Sequence, residues 1–302
     1  MEPRSSYLIF CLVLLFAGCN KPGPVALVDN DLQSQDLEVL NTNVSSGSMF
    51  SGDDIDTNGL FLSVPRKMFG QLVLAGTEYD TPFEHHEAVM ARAVFFDRST
   101  PVLFHGDTVG YKTLDLGLVR INDIFLQQIP KKILFPRLGI DTILGYQYFL
   151  YNKDGTSLSG LQYEGSLLYK WEGTGSLEFP QFARNITSPP VLHVTSPKPT
   201  DVVVVSRNLP VTFQGGAQTI KVLISDVQGL PRPHPIIQLQ FRGNQKRFVI
   251  PETILKMLPQ GRNRFVFTFS NETSALFQIN GFGDDVLVTS IYSHSLLLQI
   301  RE

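Results

Sequence analysis

Residues 146–155 read YQYFLYNKDG. In an extended chain successive side chains point to opposite sides, so Tyr146 and Tyr148 share one face while Tyr151 takes the other. Asp154-Gly155 follows directly, and an Asp-Gly pair supplies the positive φ that a tight hairpin needs. The stretch therefore predicts a strand closed by a turn. The same period of two recurs on either side. Met90, Arg92, Val94 and Phe96 alternate with Ala91, Ala93, Phe95 and Asp97, and Leu114, Leu116 and Leu118 alternate with Thr113, Asp115 and Gly117. Further on, Ile220, Val222 and Ile224 share a face, as do Ile237, Leu239 and Phe241, and again Phe265, Phe267 and Phe269. Gly, Pro or Asn bounds each segment, which is the spacing of a sandwich, and no long helical pattern intervenes to build parallel βαβ units. One helical turn is expected at Pro251–Leu258, started by Pro251 and stopped by Pro259-Gln260-Gly261.

The expected class is all-β, with two β-sandwich domains at 60–188 and 189–302. Their boundary is placed at Asn185–Pro190 (NITSPP), where two prolines interrupt any ladder. A formal charge of -3 and a pI near 6.1 carry no basic excess, which disfavours a nucleic-acid binder. The two cysteines, Cys11 and Cys19, are too few for a disulfide scaffold or a four-thiolate zinc site. Both fall within the first twenty residues.

Tyr7–Phe16 (YLIFCLVLLF) is an apolar run too short for a bilayer, which needs about 20 residues, and small residues close it. Ala17, Gly18 and Cys19 follow. Phe16-Ala17-Gly18-Cys19 resembles the lipobox of bacterial lipoproteins, with Phe where Leu is commonest. That resemblance implies a signal peptide at 1–18, a diacylglycerol on Cys19, cleavage after Gly18 and acylation of the new amine. Asn20, rather than Asp, resembles lipoproteins released to the outer membrane. A plain signal peptide with an incidental Cys19 is the alternative, but it would mature with one unpaired thiol beside a polar terminus. Residues 19–59 are rich in Asn, Asp, Ser and Gly and read as a lipidated tether. Within them Leu32, Leu37, Val39 and Leu40 offer a different use, an edge strand on the first domain. Val191–Gly215 resembles the opening of the immunoglobulin-like domains of bacterial envelope proteins. The cysteine pair and the strand Trp of antibody domains are missing, so the resemblance implies architecture alone.

Candidate chemistry is sparse. Asp54, Asp56 and Asn58 followed by Gly59 place oxygen donors as a calcium loop does, but Pro65 stands where an EF-hand has its bidentate Glu. The bland reading is an acidic end to the tether. Glu84-His85-His86-Glu87 carries metal-ligand types, yet neighbours in a strand face opposite ways, and a third ligand would have to come from His105 or Asp107. His193, His234 and His294 are isolated and read as surface or satisfied core residues. Gly155–Gly160 (GTSLSG) misses the serine-hydrolase elbow by one position. Five of the nine tyrosines, Tyr146, Tyr148, Tyr151, Tyr163 and Tyr169, cluster with Trp171. Exposed, Tyr146, Tyr148 and Trp171 would stack on sugars or a partner protein, and inward they are core. The expectation is a non-enzymatic envelope lipoprotein, an interaction or structural module for a protein or polysaccharide partner. The alternative is a glycan-binding lipoprotein assisted by calcium. No other cofactor is implied.

Overall fold

Period-two patterning becomes strand across most of the chain. The computed structural model describes residues 36–41, 69–104, 107–135, 140–154, 160–216, 218–227, 233–242, 246–280 and 285–302. The first half contains β1 (Asp36–Asn41), β2 (Gly70–Asp80), β3 (His85–Phe104), β4 (Asp107–Thr113), β5 (Val119–Ile121), β6 (Ile124–Phe125), β7 (Gln127–Phe135), β8 (Ile140–Lys153), β9 (Leu168–Gly173) and β10 (Phe182–Thr187). The second contains β11 (His193–Ser196), β12 (Val202–Val204), β13 (Leu209–Gln214), β14 (Thr219–Asp226), β15 (His234–Arg242), β16 (Arg247–Ile250), the short α1 (Glu252–Leu255), β17 (Arg264–Gln278) and β18 (Asp285–Arg301). Among the described residues no helix is long and apolar enough to cross a membrane.

Eleven strands form one sheet in the order β1-β15-β14-β17-β18-β2-β3-β8-β7, with β12 added to β18 and β4 to β3. Two smaller sheets, β10-β9-β5-β6 and β11-β13-β16, complete the set. The four-stranded sheet shares a buried cluster with the β2, β3 and β8 region: Val119, Ile121, Tyr169, Trp171, Phe182 and Ile186 pack with Leu72, Leu74, Ala93, Phe95 and Tyr148. The three-stranded sheet does the same with β14, β15, β17 and β18, through Val194, Val211, Phe213 and Phe248 against Val222, Leu239, Phe267 and Leu296. Each such apolar side chain contributes about 1.5–3 kcal/mol when fully buried.

Ile186 of β10 belongs to one cluster and Val194 of β11 to the other. The large sheet nevertheless runs through both regions. β18 pairs in parallel with β2 from Val286↔Gly70 to Leu296↔Asp80 and antiparallel with β17 along its length. Val286 and Val288 of β18 belong to one cluster, Leu296, Leu298 and Ile300 to the other. Asp36–Glu302 accordingly forms one compact unit.

Four local expectations are corrected. An edge strand does form at β1, but it pairs with β15 of the second half, and Leu37 packs on that half's core. Leu114–Leu118 is not a strand. Gly117 sits at φ 69°, where a Cβ would strike the Gly175 carbonyl, and Leu118 turns outward. Asp154 takes the positive φ expected of it (51°), yet the next strand, β9, pairs with β10 and β5, not with β8. Asp154 instead fastens β8 to β3, its N–H donating to the Glu87 carbonyl and its carboxylate accepting the Glu87 N–H. Helix α1 is shorter than the expected Pro251–Leu258 and has Pro251 as its N-cap.

Candidate functional site

On β2, Gly76, Glu78 and Asp80 are spaced by two and face one way. The parallel register sets Tyr292 of β18 beside Gly76 and His294 beside Glu78. On the other flank, β3 sets His85 opposite Asp80 and Glu87 opposite Glu78. β11 brings His193 and Val194 over the top. Five ionisable or hydroxyl side chains from β3, β11 and β18 thus converge around the two carboxylates of β2.

His294 is fully buried. Its Nδ1 accepts the Val194 N–H at 2.8 Å, so its proton resides on Nε2, which donates to Asp80 Oδ2 at 3.0 Å. Burial lowers the His294 pKa below the ordinary value, outweighing the upward pull of Glu78 and Asp80. Burial pushes the Asp80 carboxyl up, but hydrogen bonds from His85 and His294 prevail and leave it lowered. The hydrogen bond to Asp80 raises His85. Tyr292 is raised, first by burial and then by the Glu78 carboxylate to which its hydroxyl donates at 3.1 Å. His193 Nδ1 lies 2.8 Å from Glu78 Oε1, and its ring stacks on His294 with centroids 4.8 Å apart.

The ion-pair partners of Glu78 and Asp80 among the described residues are all histidines. Two triplets have donor atoms within 4.8 Å of one another: Glu78, His193 and His294, and Glu78, Asp80 and His85. Chemically the network can share protons or hold a cation.

Sequence reading reached this site only in part. His85 and His86 do face opposite ways. His85 meets Asp80 and Glu87, while His86 meets Glu84 at 3.2 Å and Asp154 at 3.3 Å. His105 lies outside the described residues, and Asp107 is described only as the start of β4. His193 and His294 read as isolated but are neighbours. His234 is exposed, as expected. Cys19, Asp54, Asp56 and Asn58 lie outside the described residues.

Of the aromatic cluster, Tyr146 is 47% exposed, whereas Tyr148 and Trp171 are core. The Tyr148 hydroxyl donates to Asp115 at 2.6 Å and accepts the Leu116 N–H at 2.8 Å. Neither Tyr148 nor Trp171 has a free ring face to offer a sugar, because the four-stranded sheet that carries Trp171 packs on the part of the large sheet that carries Tyr148. Tyr146 lies two residues along the same strand, outside that cover.

No protein family and no curated protein matches the chain. Among solved structures, the yeast delta-COP-I mu-homology domain complexed with Dsl1 WxWxV peptide is similar over 78% of this chain and 100% of that chain, at 9% identity and a TM-score of 0.25. A likeness that distant informs neither fold nor function.

Proposed function

We propose that the chain is a non-enzymatic bacterial envelope lipoprotein whose β body is an interaction or structural module. The observation that carries this reading is Phe16-Ala17-Gly18-Cys19 at the end of a short apolar run, with no cysteine among the residues that follow Cys19. Acyl chains on Cys19, at about 0.8 kcal/mol per buried methylene, hold the protein at the membrane, and Asn20 directs it to the outer one. Residues 60–188 and 189–302 act as two β-sandwich domains, the second immunoglobulin-like. The shared sheet supports a rigid platform rather than two swinging parts. A protein or polysaccharide partner binds its loops and strand edges, where unpaired backbone groups invite an added strand. The acidic balance does not suit nucleic acid.

The glycan-binding alternative loses Tyr148 and Trp171 to the core and is left with Tyr146 and Tyr151, so the interaction reading is preferred. Radioactive fatty-acid labelling in a bacterial host tests the anchor. Wild type incorporates label and fractionates with membranes, and Cys19→Ala does neither. Equal label in both proteins overturns the reading.

A further inference from the structure

We propose that Glu78, Asp80 and His85 bind a divalent transition-metal ion, zinc by the chemistry of their donors. Their donor atoms already converge. His85 Nδ1 lies 2.5 Å from Asp80 Oδ1 and 3.8 Å from Glu78 Oε1. Those spacings bracket the separation of about 3.3 Å between two ligands that each sit about 2.0–2.1 Å from a tetrahedral zinc. An ion placed among the three replaces the proton now shared by His85 and Asp80. One imidazole and two carboxylates leave a fourth position for water.

Each ligand also has an outer partner that holds its second polar atom. Glu78 Oε2 accepts the Tyr292 hydroxyl at 3.1 Å, while Oε1, which lies 2.8 Å from His193 Nδ1, is the oxygen turned towards His85. Asp80 Oδ2 accepts His294 Nε2–H at 3.0 Å, leaving Oδ1. His85 Nε2 faces Glu87 Oε1 at 3.4 Å and keeps a proton there once the ion displaces the one between Nδ1 and Asp80, which makes Nδ1 the ligand atom. Carboxylate–histidine–metal relays of this kind orient ligands in established sites and raise their basicity. The other triplet is less suited, because His294 has both ring nitrogens committed within the protein and serves as a positioning residue for Asp80.

Burial and access fit a metal as well. The side chain of Glu78 is 6% exposed and that of Asp80 19%, while His85 is 53% exposed and opens the site to solvent. Two carboxylates this sheltered, with only imidazoles as ion-pair partners among the described residues, are an expensive arrangement that a dication offsets. This inference is independent of the lipid anchor.

Titration calorimetry of the purified chain with Zn²⁺ alone, in chelator-treated buffer, is the test. Wild type is expected to bind one equivalent and to melt at a higher temperature with zinc than without. His85→Ala, at a half-exposed position, keeps the fold and weakens binding at least tenfold. Glu87→Gln weakens it by about 10–100-fold through the relay to His85. His86→Ala, on the opposite face of the same strand, binds as wild type does. Because Glu78→Gln risks misfolding, Asp80→Asn serves as the second ligand variant, with its far-ultraviolet spectrum as the check on folding. Absence of binding by wild type, or unchanged affinity in His85→Ala, overturns the proposal and leaves the cluster as a hydrogen-bonded seam.

Discussion

The ring of Tyr163 covers Gly76 so closely that a Cβ at residue 76 would lie 2.4 Å from the ring's Cγ. Tyr163 also packs on Tyr292 with centroids 5.3 Å apart, and it borders both hydrophobic clusters. Its position therefore helps tie the two halves of the large sheet together. Gly76→Ala is expected to destabilise the protein by about 1–3 kcal/mol, the usual cost of overpacking a filled core. Urea denaturation measures it. A double-mutant cycle with Tyr163→Ala is the sharper check, since removing the ring should abolish most of the cost of the added methyl. Additive effects would show that the methyl is accommodated some other way.

Burial of Tyr148 and Trp171 separates core from surface in the aromatic cluster. Trp171→Ala is expected to cost about 3–5 kcal/mol, as large aromatic deletions do. Tyr146→Ala should stay within about 0.5 kcal/mol of wild type, because its ring stands in solvent. Thermal melting of both variants distinguishes the two cases. A stable Trp171→Ala protein would mean that the β9 layer does not cover that part of the sheet.

What was legible in the sequence follows from what is local. Side-chain alternation depends on immediate neighbours, so the buried faces of β14, β15 and β17 could be read from Ile220–Ile224, Ile237–Phe241 and Phe265–Phe269. Strand partners depend on how distant segments close on one another. The parallel register of β18 on β2, which sets His294 beside Glu78, leaves no local mark. The only trace of the site was spacing: Glu78 and Asp80 two apart, Tyr292 and His294 two apart, each pair on one face of a strand. Leu114–Leu118 misled for the opposite reason. Its alternation was genuine, but Gly117 approaches Gly175 too closely for a regular strand.

The hydroxyls of Tyr148 and Tyr163 give the fold a dependence on alkaline pH. Both have pKa values raised, chiefly by burial; Asp115 adds to the effect at Tyr148, and Tyr169 at Tyr163. A tyrosine with a raised folded pKa favours the neutral form in the native state. Its contribution is complete below the unfolded value near 10 and is lost as pH rises towards the folded value. Stability should therefore fall above about pH 10, with tyrosinate absorbance from these two rings appearing only as the protein unfolds. Tyr148→Phe should lower stability at neutral pH by about 1–3 kcal/mol, because the buried Leu116 N–H loses its acceptor and the Asp115 carboxylate one of its donors, and should flatten the alkaline slope. A slope unchanged by the substitution would assign it to other groups.

β1 covers the outer edge of β15, pairing from Asp36↔Arg242 to Val39↔Leu239 before a register shift brings Asn41 opposite Gln238. Without it β15 would present an unpaired row of backbone donors and acceptors along Gln238–Arg242, flanked on the core side by Leu239 and Phe241. Such an edge templates pairing with a second chain. Deleting residues 36–41 is expected to lower stability, since Leu37 of β1 packs on the core. The larger expected effect is self-association. Size-exclusion chromatography of the deletion variant should show a concentration-dependent dimer or larger species, and Leu239→Lys placed in that variant would not repair it, because the residue faces the core. Gln240→Pro in the same background tests the mechanism directly. Proline removes one ladder donor without touching the buried face, so loss of association in the proline variant would tie the effect to backbone pairing. A deletion variant that remains monomeric at high concentration would show that β15 is protected by something other than β1.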